Sequence, residues 1–448
     1  MPQSSTNLTD LSLTESAAKI RDGEITSRTL IDACLERIAD QDKEIGAFAH
    51  IDFEAARKAG DGADNERATG NGTGPLHGVP IAVKDIVDTS DMPTEYGSPI
   101  FSGHQPTRDA SCVAALRNAG AIIIGKTVTT ELALLTPSPT RNPVNTNHTP
   151  GGSSAGSAAA VGANMVSAAI GSQTAGSVLR PASYCGVVGY KPTFGLISRR
   201  GALMQSHTLD TIGVFTRSAS DAALLVDCLS AYDPYDPVSY RRSQSNLFDI
   251  AESSVPADPI FAFVKTPAWE DHATPDLRAA FEELVETLGP ACEVVDPSIL
   301  EDAIEWQRIV HSAENASYYG PLIDQSPDVT SEGLTERIKV GRQESVTQYI
   351  DAIVAREPAY EAIAEYFSRY SAILTPASPG TAPQGLGSTG SPIFNGLWTY
   401  LGVPTLSLPL MQVSGMPLGV QLVGPRRDDG RLLRTANWLT QHLKSLDT

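Results

Sequence analysis

Apolar positions recur at helical spacing in the first forty residues of the chain. Residues 12–22 are predicted to form a helix, because Ser12 and Glu15 have the spacing of a capping box. Residues 58–76 are polar and rich in glycine, so they predict an exposed loop. A second helix is predicted over 27–40, with an apolar stripe made of Leu30, Ile31, Cys34, Leu35 and Ile38.

Short apolar runs replace the helical pattern in the middle of the chain. Residues 79–83 (VPIAV) and 121–125 (AIIIG) predict buried strands, and 109–120 predict a helix between them. Strand, helix and strand in this order indicate a βαβ unit, and hence an α/β fold with helices on both faces of a sheet. Residues 167–172 predict a further strand that ends just before the sequence TAGS.

The rest of the chain divides into a helical region and a return to strands. Helices are predicted at 276–288, 300–318 and 345–370, and strands at 372–376, 405–410 and 417–424, before a last helix. We interpret the chain as one domain over 1–448. Its parts are an N-terminal helical segment (1–68), an α/β core (69–232 and 371–448) and a mostly helical excursion (233–370).

Composition narrows the classes of function. The 448 residues include 33 basic and 52 acidic side chains, a net charge of −19, which argues against nucleic-acid binding and against docking to an anionic membrane. The start, MPQSSTNLTD, lacks the features of a signal peptide, and no apolar run is long enough to span a bilayer. Five scattered cysteines fit a reduced, cytoplasmic protein and supply no metal knuckle.

Candidate chemistry concentrates in residues 150–183, where nearly every side chain is small. The stretch GGSSAGSA lacks the lysine of a phosphate-binding loop, and no GxGxxG follows a predicted strand. A histidine-based serine hydrolase is disfavoured, because none of the eight histidines lies in 150–183 and no GxSxG occurs. No HExxH motif or other close ligand set predicts a metal site.

A lysine base remains as the candidate for activating a serine. Lys84 ends the apolar run VPIAVK, and burial at a strand end lowers the pKa of a lysine toward the neutral form. Neutral lysine can accept a proton from a serine hydroxyl. The alternative from Lys84 alone is a structural ion pair with a neighbouring carboxylate such as Asp85.

Several motifs together resemble the amidase signature family of Ser-Ser-Lys hydrolases. They are GVPIAVKD (78–85), GAIIIGKTVTTELA (120–133), GGSSAGS (151–157), GSQTAGSVLRPAS (171–183), GYKPTFGLISRRG (189–201), SHTLDTIGVFTRS (206–218) and LGVPTLSLPL…GMPLGVQLVG (401–424). The resemblance covers most of the chain and is weakest over 233–370. It implies the mixed α/β fold of that family, with a mixed β-sheet core covered by helices on both faces.

The resemblance also implies roles for individual residues. Ser177 would be the nucleophile, Ser153 the bridging serine next to a cis peptide bond, and Lys84 the base. The backbone N–H groups of Thr174, Ala175, Gly176 and Ser177 would form the oxyanion hole, and small residues there would leave room for the substrate carbonyl. Ser154 and Ser157 would be helix-start residues. No cofactor or metal is implied.

Two positions depart from the pattern common in the family. Gly171-Ser172-Gln173 stands where Gly-Thr-Asp is often found, and Ala175-Gly176 where two glycines are common. Gln173 is expected to accept a hydrogen bond from Arg180 without charge. Arg180 is interpreted as structural support in preference to substrate contact.

The resemblance implies cleavage of amide or carbamate C–N bonds, with esterase side activity, through an acyl-enzyme. Candidate pocket walls are Tyr96, Leu135, Thr136, Phe394 and Trp398, and these apolar walls favour aryl amides and urethanes. Small-molecule substrates are expected as partners, and homodimers are common among such proteins. Two alternatives stay open: an amidotransferase A-type subunit with partner chains, disfavoured by the acidic charge, and an inactive binding protein, disfavoured by the intact triad.

Overall fold

The computed structural model describes residues 7–72, 74–243, 246–296 and 300–446. Residues 1–6 lie outside these ranges, and they include most of the segment in which we predicted no features of a signal peptide. One mixed sheet runs through the molecule in the strand order β1-β3-β2-β4-β6-β5-β10-β11-β9-β7-β8. Its strands are β1 Phe48–Ile51, β2 Pro80–Lys84, β3 Ile122–Thr127, β4 Ala169–Gln173, β5 Val188–Lys191, β6 Thr211–Thr216, β7 Phe261–Val264, β8 Cys292–Val295, β9 Ala372–Pro376, β10 Thr405–Val413 and β11 Met416–Val423.

Helices flank this sheet and agree with the predicted α/β class. They are α1 Leu13–Asp22, α2 Ser27–Ile45, α3 Phe53–Ala68, α4 Ser111–Asn118, α5 Ala155–Gly162, α6 Leu179–Cys185, α7 Ala219–Leu229, α8 Leu247–Glu252, α9 Trp269–His272, α10 Pro275–Leu288, α11 Ala303–Gln325, α12 Glu332–Gly341, α13 Val346–Val354, α14 Arg356–Ala364, α15 Tyr366–Arg369, α16 Gly396–Tyr400 and α17 Asp429–Leu446. Within the described ranges, no helix combines the length and apolar character needed to cross a membrane.

The predicted βαβ unit is confirmed and places the strand ends that matter for chemistry. Strand β2 pairs in parallel with β3, with Lys84 in register with Thr127, and α4 connects the two strands. Strand β2 also pairs in parallel with β4. The carboxyl ends of these three strands therefore share one edge of the sheet, and the segments that follow β2 and β4 come close together there.

The two N-terminal helices are confirmed, with one change at a boundary. The Ser12–Glu15 capping box is present at the start of α1. Helix α2 is capped by Thr26, whose side chain accepts from the Thr29 N–H, and it continues to Ile45. The apolar stripe correctly placed α2, but the adjacent hydroxyls of Thr26 and Ser27 made the capping residue ambiguous.

The predicted loop over 58–76 is wrong for its first half, because α3 continues to Ala68. The buried face of α3 consists of small residues, Ala56, Gly60 and Ala63, and the remaining positions are mostly polar. A Cβ atom on Gly60 would lie 2.9 Å from Ile31 Cδ1 on α2, so the glycine allows close helix packing. Close packing on α2 stabilises a segment whose composition alone indicates a loop.

Region 233–370 is mostly helical but also extends the sheet. The helices predicted at 276–288 and 300–318 are confirmed as α10 and α11, and the segment predicted at 345–370 is divided into α13, α14 and α15. Strands β7 and β8 of this region were not predicted, although β7 pairs in parallel with β9 of the C-terminal part. These strands have only four residues each, too few for a clear period of two.

Candidate active site

Lys84 lies at the carboxyl end of β2 and is fully buried. Its Nζ donates hydrogen bonds to Ser153 Oγ at 2.7 Å and to Ser172 Oγ at 3.0 Å. Burial lowers the pKa of Lys84 to about 7, and the negative charge of Asp210 opposes this decrease. A substantial fraction of Lys84 is therefore neutral near pH 7, in direct contact with a serine hydroxyl.

The carboxylate of Asp85, next to Lys84 in the sequence, forms an ion pair with a different lysine. Asp85 Oδ1 lies 3.3 Å from the Nζ of Lys126, which follows Gly125 near the end of β3. Lys126 also donates to Thr94 Oγ1 at 2.5 Å. The structural alternative for Lys84, an ion pair with Asp85, is thus wrong: Lys84 forms no ion pair with any carboxylate of the described residues.

Two glycines bring Ser153 to Lys84. Gly151 has φ +84°, and a cis peptide bond joins Gly152 to Ser153. A Cβ atom on Gly151 would lie 2.9 Å from Pro181 Cα, and one on Gly152 would lie 2.8 Å from Thr389 Cγ2. The turn therefore accepts only glycine at both positions without rearrangement, which accounts for the sequence PGGSS.

The loop that carries Ser177 connects β4 to α6 and is held from both sides. Thr174 Oγ1 donates to Asp210 at 2.6 Å, and the Ala175 carbonyl accepts from Thr399 Oγ1 at 2.7 Å. A Cβ atom on Gly176 would lie 2.5 Å from Asn395 Oδ1. Ser177 is half-buried and lines a cavity. Among the described residues, its hydroxyl makes no hydrogen bond, so the contact with Ser153 required by the predicted relay is not formed in this state.

Gln173 has a different partner from the one predicted. Its Oε1 accepts from the backbone N–H groups of Val178 and Leu179 at 2.8 and 3.0 Å, and its Nε2 donates to Thr399 at 3.0 Å. The predicted hydrogen bond with Arg180 is wrong, because the amide oxygen is used by the unpaired N–H groups at the start of α6. Gln173 therefore fixes the backbone just after Ser177.

Arg180 is 3% exposed and contacts the turn before Ser153. Its Nη2 donates to the Gly152 carbonyl at 2.6 Å and to Thr389 Oγ1 at 3.3 Å, which fits the predicted supporting role. Its Nε and Nη1 are buried without a hydrogen-bond partner among the described residues. Burial lowers the pKa of Arg180 to about 10.

Ser154 was also predicted as a supporting residue. Its Oγ donates to the carbonyl of Ser172.

Asp210 and Ser172 are site residues that the sequence analysis did not single out. Asp210 accepts from the N–H groups of Gln205 and Ser206 at 2.8 and 3.0 Å, in addition to Thr174. Burial raises the pKa of Asp210 to about 6. Asp210 stands in the motif SHTLDTIGVFTRS, and Ser172 was noted only as a departure from a common pattern, so both signals were present in the sequence.

A cavity of about 270 Å³ opens onto Ser177. Leu135 lines it as predicted, whereas Tyr96 donates to Asp88 at 3.0 Å and Thr136 lines a separate cavity. Phe394 and Trp398 belong to the apolar core and are not among the residues that line the cavity, so their prediction as pocket walls is wrong. The short turn of α16 directs Gly396 and Leu397 to the cavity and the neighbouring large side chains away from it.

The opposite wall comes from α11 and α12, in the region where the resemblance is weakest. It contributes polar and cationic side chains that were not predicted: Gln307, Arg308, His311 and Arg337. These four residues lie on two helices that contain no recognisable motif. They come together only in the folded protein, where they face the same cavity, so the sequence alone contained no signal for them.

Comparisons with known proteins find relatives over most of the chain. A family model described as Amidase matches residues 29–433. The chain is 33% identical to the A-type subunit of glutamyl-tRNA(Gln) amidotransferase from Lachnospira eligens, over 96% of this chain and 97% of the relative. It is 32% identical to the protein of the same name from Desulforapulum autotrophicum, over 98% of both chains.

Solved structures are similar over nearly the whole chain. A structure from work on a vestigial protein complex and the origins of an s-triazine catabolic enzyme has a TM-score of 0.90 at 28% identity, covering 96% of this chain and 98% of that one. The peptide amidase of Stenotrophomonas maltophilia has a TM-score of 0.83 at 27% identity, covering 97% of each chain.

Proposed function

Because the chain belongs to the amidase signature family, we propose that it cleaves the C–N bond of a small amide through an acyl-enzyme on Ser177. The observation that carries the proposal is the contact of buried Lys84 with Ser153 at 2.7 Å, in the absence of an ion pair among the described residues. A lysine held neutral beside a serine hydroxyl can act as a base, whereas the equally buried Lys191, within the described chain, donates only to backbone carbonyls and has no hydroxyl to deprotonate.

In the proposed acylation step, two protons move along one line of groups. As Ser177 Oγ attacks the amide carbon, its proton passes to Ser153 Oγ, and the Ser153 proton passes to the lone pair of Lys84 Nζ. The carbonyl π electrons move to oxygen, where the backbone N–H groups of 174–177 stabilise the oxyanion. The hydrogen bonds from Thr174 to Asp210 and from Thr399 to Ala175 keep that loop in place.

Collapse of the tetrahedral intermediate reverses the proton flow. The proton on Lys84 returns through Ser153 to the nitrogen of the substrate, the C–N bond breaks and the amine or ammonia leaves. Water then attacks the Ser177 ester with the same relay as base, and the carboxylic acid is released. Carbamates and activated esters can use the same steps, since each presents a carbonyl and a leaving group.

The preference for bulky aryl amides and urethanes has lost most of its structural basis. Of the five candidate walls on which it depended, only Leu135 lines the cavity, and the two largest, Phe394 and Trp398, lie in the core. A cavity of about 270 Å³ is at the small end of the usual range for ligand sites, so we propose a small acyl portion.

Ser177→Ala tests the proposal. Turnover of amides and labelling by a fluorophosphonate should both disappear, because the only proposed nucleophile is removed. The melting temperature should stay close to that of the wild type, since Ser177 makes no side-chain hydrogen bond within the described chain. Substantial amide turnover in the folded variant would refute Ser177 as the nucleophile.

The relatives favour a second candidate function, an amidotransferase A-type subunit that works with partner chains. The glutamyl-tRNA(Gln) amidotransferase subunits match over almost their full length. In this case the same acyl-enzyme would release ammonia for use by a partner. The partner could bind the tRNA, so the net charge of −19, which the sequence analysis weighed against this function, does not argue against it. Glutamine hydrolysis by the isolated chain, and its stimulation by proteins that co-purify from the source cells, would distinguish this function from independent hydrolysis.

A further inference from the structure

The cavity over Ser177 has an unusual charge for this chain. Three arginines line it, Arg180, Arg308 and Arg337, and no aspartate or glutamate is among its described lining residues. The protein as a whole has 52 acidic against 33 basic side chains. Cationic side chains therefore face Ser177 in a protein that is acidic as a whole. How much positive charge the cavity has depends on which carboxylates pair with each guanidinium group.

Arg308 is neutralised by its neighbours. Its Nη1 contacts Glu344 at 2.6 Å, and its Nη2 contacts Glu305 at 2.7 Å. Its Nε also donates to Glu305 at 2.8 Å. Two carboxylates thus compensate one guanidinium, and Arg308 contributes little net charge to the cavity.

No carboxylate compensates Arg337 by direct contact, and the charge of Glu344, which is paired with Arg308, acts on it only through space. Arg337 forms no ion pair with a carboxylate of the described residues, and its Nε is buried without a hydrogen-bond partner there. Its Nη2 lies 3.1 Å from His311 Nδ1, while His311 Nε2 lies 3.3 Å from Gln205 Oε1. In this arrangement Nδ1 accepts and Nε2 donates, so His311 is neutral; burial and the Arg337 charge both lower its pKa well below the usual value.

Arg180 is the second uncompensated cation. It is almost fully buried, it forms no ion pair within the described chain, and its Nε and Nη1 have no partner there. A buried charge without a counter-ion is costly, because neither water nor protein replaces its hydration. Arg180 is such a group, and Arg337 beside it is half-buried with its Nε unsatisfied, so the cavity suits a ligand that supplies negative charge.

We propose that the cavity selects a substrate whose acyl portion carries a carboxylate, as in the monoamide of a dicarboxylic acid, with Arg337 as the specificity-determining residue. The proposal rests on the proposed amide hydrolysis, since the scissile amide must reach Ser177. Arg337 pairs with the carboxylate, and Arg180 adds to the positive potential beside the nucleophile. Bidentate contact with a planar carboxylate suits a guanidinium group.

The same lining excludes a positive charge. An ammonium group on the substrate would lie among arginines, with no acidic side chain of the described lining to receive it. A free α-amino acid amide such as glutamine is therefore a poorer substrate than its analogue without the amino group, glutaramic acid. This consequence separates the proposal from the second candidate function, in which ammonia for a partner comes from an amino-acid donor.

The experiment compares glutaramic acid, its neutral isostere glutaramide and glutamine. The kcat/KM for glutaramic acid should exceed that for each of the other two by at least about tenfold, the effect of a hydrogen bond to a charged group. Arg337→Gln should reduce the ratio of acid to diamide to below about threefold, and Arg337→Lys should retain part of it. Lys339→Gln, an exposed position on the same helix with the same loss of charge, should leave the ratio unchanged.

Binding to Ser177→Ala, measured by calorimetry with the same three compounds, keeps the two proposals separable. Equal affinity for the acid and the diamide, or tighter binding of glutamine, would overturn the carboxylate site. If Lys339→Gln reduces the ratio of acid to diamide as much as Arg337→Gln does, the selectivity comes from overall charge. This result would also overturn the assignment of Arg337. Charge-selective binding that depends on Arg337, in a wild-type protein that cleaves no amide, would refute the hydrolase and retain the carboxylate site.

Discussion

The two walls of the cavity are built in different ways. We use "floor" for Lys84, the turn 151–154 and the loop 172–177, and "roof" for helices α11 and α12. In the floor, backbone segments approach so closely that a Cβ atom on Gly151 or Gly176 would lie 2.9 Å or less from a neighbour. In the roof, long side chains such as Arg308 and Arg337 reach the cavity from two helices.

This difference separates reactivity from selectivity. The floor holds small groups in one geometry, which positions a nucleophile, a relay and an oxyanion loop. The roof presents charges whose effect depends on their partners, as the contrast of paired Arg308 with unpaired Arg337 illustrates. Substitutions in the floor are therefore expected to reduce turnover of every substrate, and substitutions in the roof to change which substrate is preferred.

After loss of the nucleophile Ser177, the largest effect is expected for Lys84→Met. Amide hydrolysis should fall by about 10²–10⁴-fold, the usual contribution of general acid–base catalysis. In the wild type, kcat/KM should rise with pH through about 7, because deprotonation of Lys84 generates the base. This rise should be absent in Lys84→Met. A pH profile of kcat/KM for one amide, recorded for both proteins, is the measurement.

Lys126→Met is the matched control for a buried lysine on the adjacent strand. Its removal leaves Asp85 buried without the Lys126 charge, so the free energy of unfolding should decrease by about 3–5 kcal/mol. Lys84→Met leaves two neutral hydroxyls as its former partners, and Asp210 keeps its hydrogen bonds from Thr174, Gln205 and Ser206, so this variant should lose much less stability. If both variants lose stability equally and Lys84→Met keeps its activity, Lys84 is structural.

Ser153→Ala should have the next largest effect, and one that depends on the leaving group. Expelling an amine requires protonation of its nitrogen, whereas nitrophenolate leaves as the anion. Loss of the relay should therefore reduce anilide hydrolysis at least about tenfold more than hydrolysis of the matching nitrophenyl ester. Combined with Lys84→Met, the two losses should not multiply, because the residues act as one relay. Equal losses on both substrates would contradict the relay.

Asp210→Asn should shift the pH profile. The Asp210 charge raises the pKa of Lys84, so its removal should lower that pKa and move the rising part of kcat/KM to a pH below about 7. The asparagine can keep the acceptor for Thr174 but presents an amide near the N–H groups of Gln205 and Ser206, so kcat should also fall. An unchanged profile midpoint would mean that Asp210 only supports the loop.

The floor was largely predictable from the sequence, because its geometry depends on close backbone contacts made by short, continuous segments. Two glycines before Ser153 and the small residues before Ser177 reflect close approach within short segments, and such contacts leave a pattern in the sequence. Gln173 was harder to interpret. The aspartate often found at this position in the family suggested a contact with Arg180, but the Gln173 oxygen accepts from the N–H groups at the start of α6.

The roof and part of the fold could not be predicted for the opposite reason. Whether Arg308 or Arg337 is free depends on which helix faces the cavity and on distant carboxylates such as Glu344, 36 residues from Arg308. Helix α3 is similar, since its stability comes from close packing against α2 at Gly60. Composition identified its polar residues but not the neighbour that it packs against.

The smallest effect is expected where the roof meets the loop 131–136. Ser331 caps α12, accepting from the Leu334 N–H at 3.3 Å, and it contacts Glu131 and Thr136 of that loop. Ser331→Ala should cost about 1–3 kcal/mol, because it removes an N-cap and a hydroxyl donor to the buried Glu131 carboxylate, and it should loosen the helix that carries Arg337. The KM for glutaramic acid should rise about two- to fivefold with kcat little changed, because the floor is untouched.

Ser345→Ala is the matched control, because Ser345 caps α13 with a complete capping box and is not among the residues that line the cavity. It should also lower the melting temperature, since a cap is lost, and leave the KM for glutaramic acid unchanged. Steady-state kinetics and thermal unfolding of both variants provide the measurement. If the two variants change KM equally, the position of α12 does not control substrate binding, and selectivity would have to come from the floor alone.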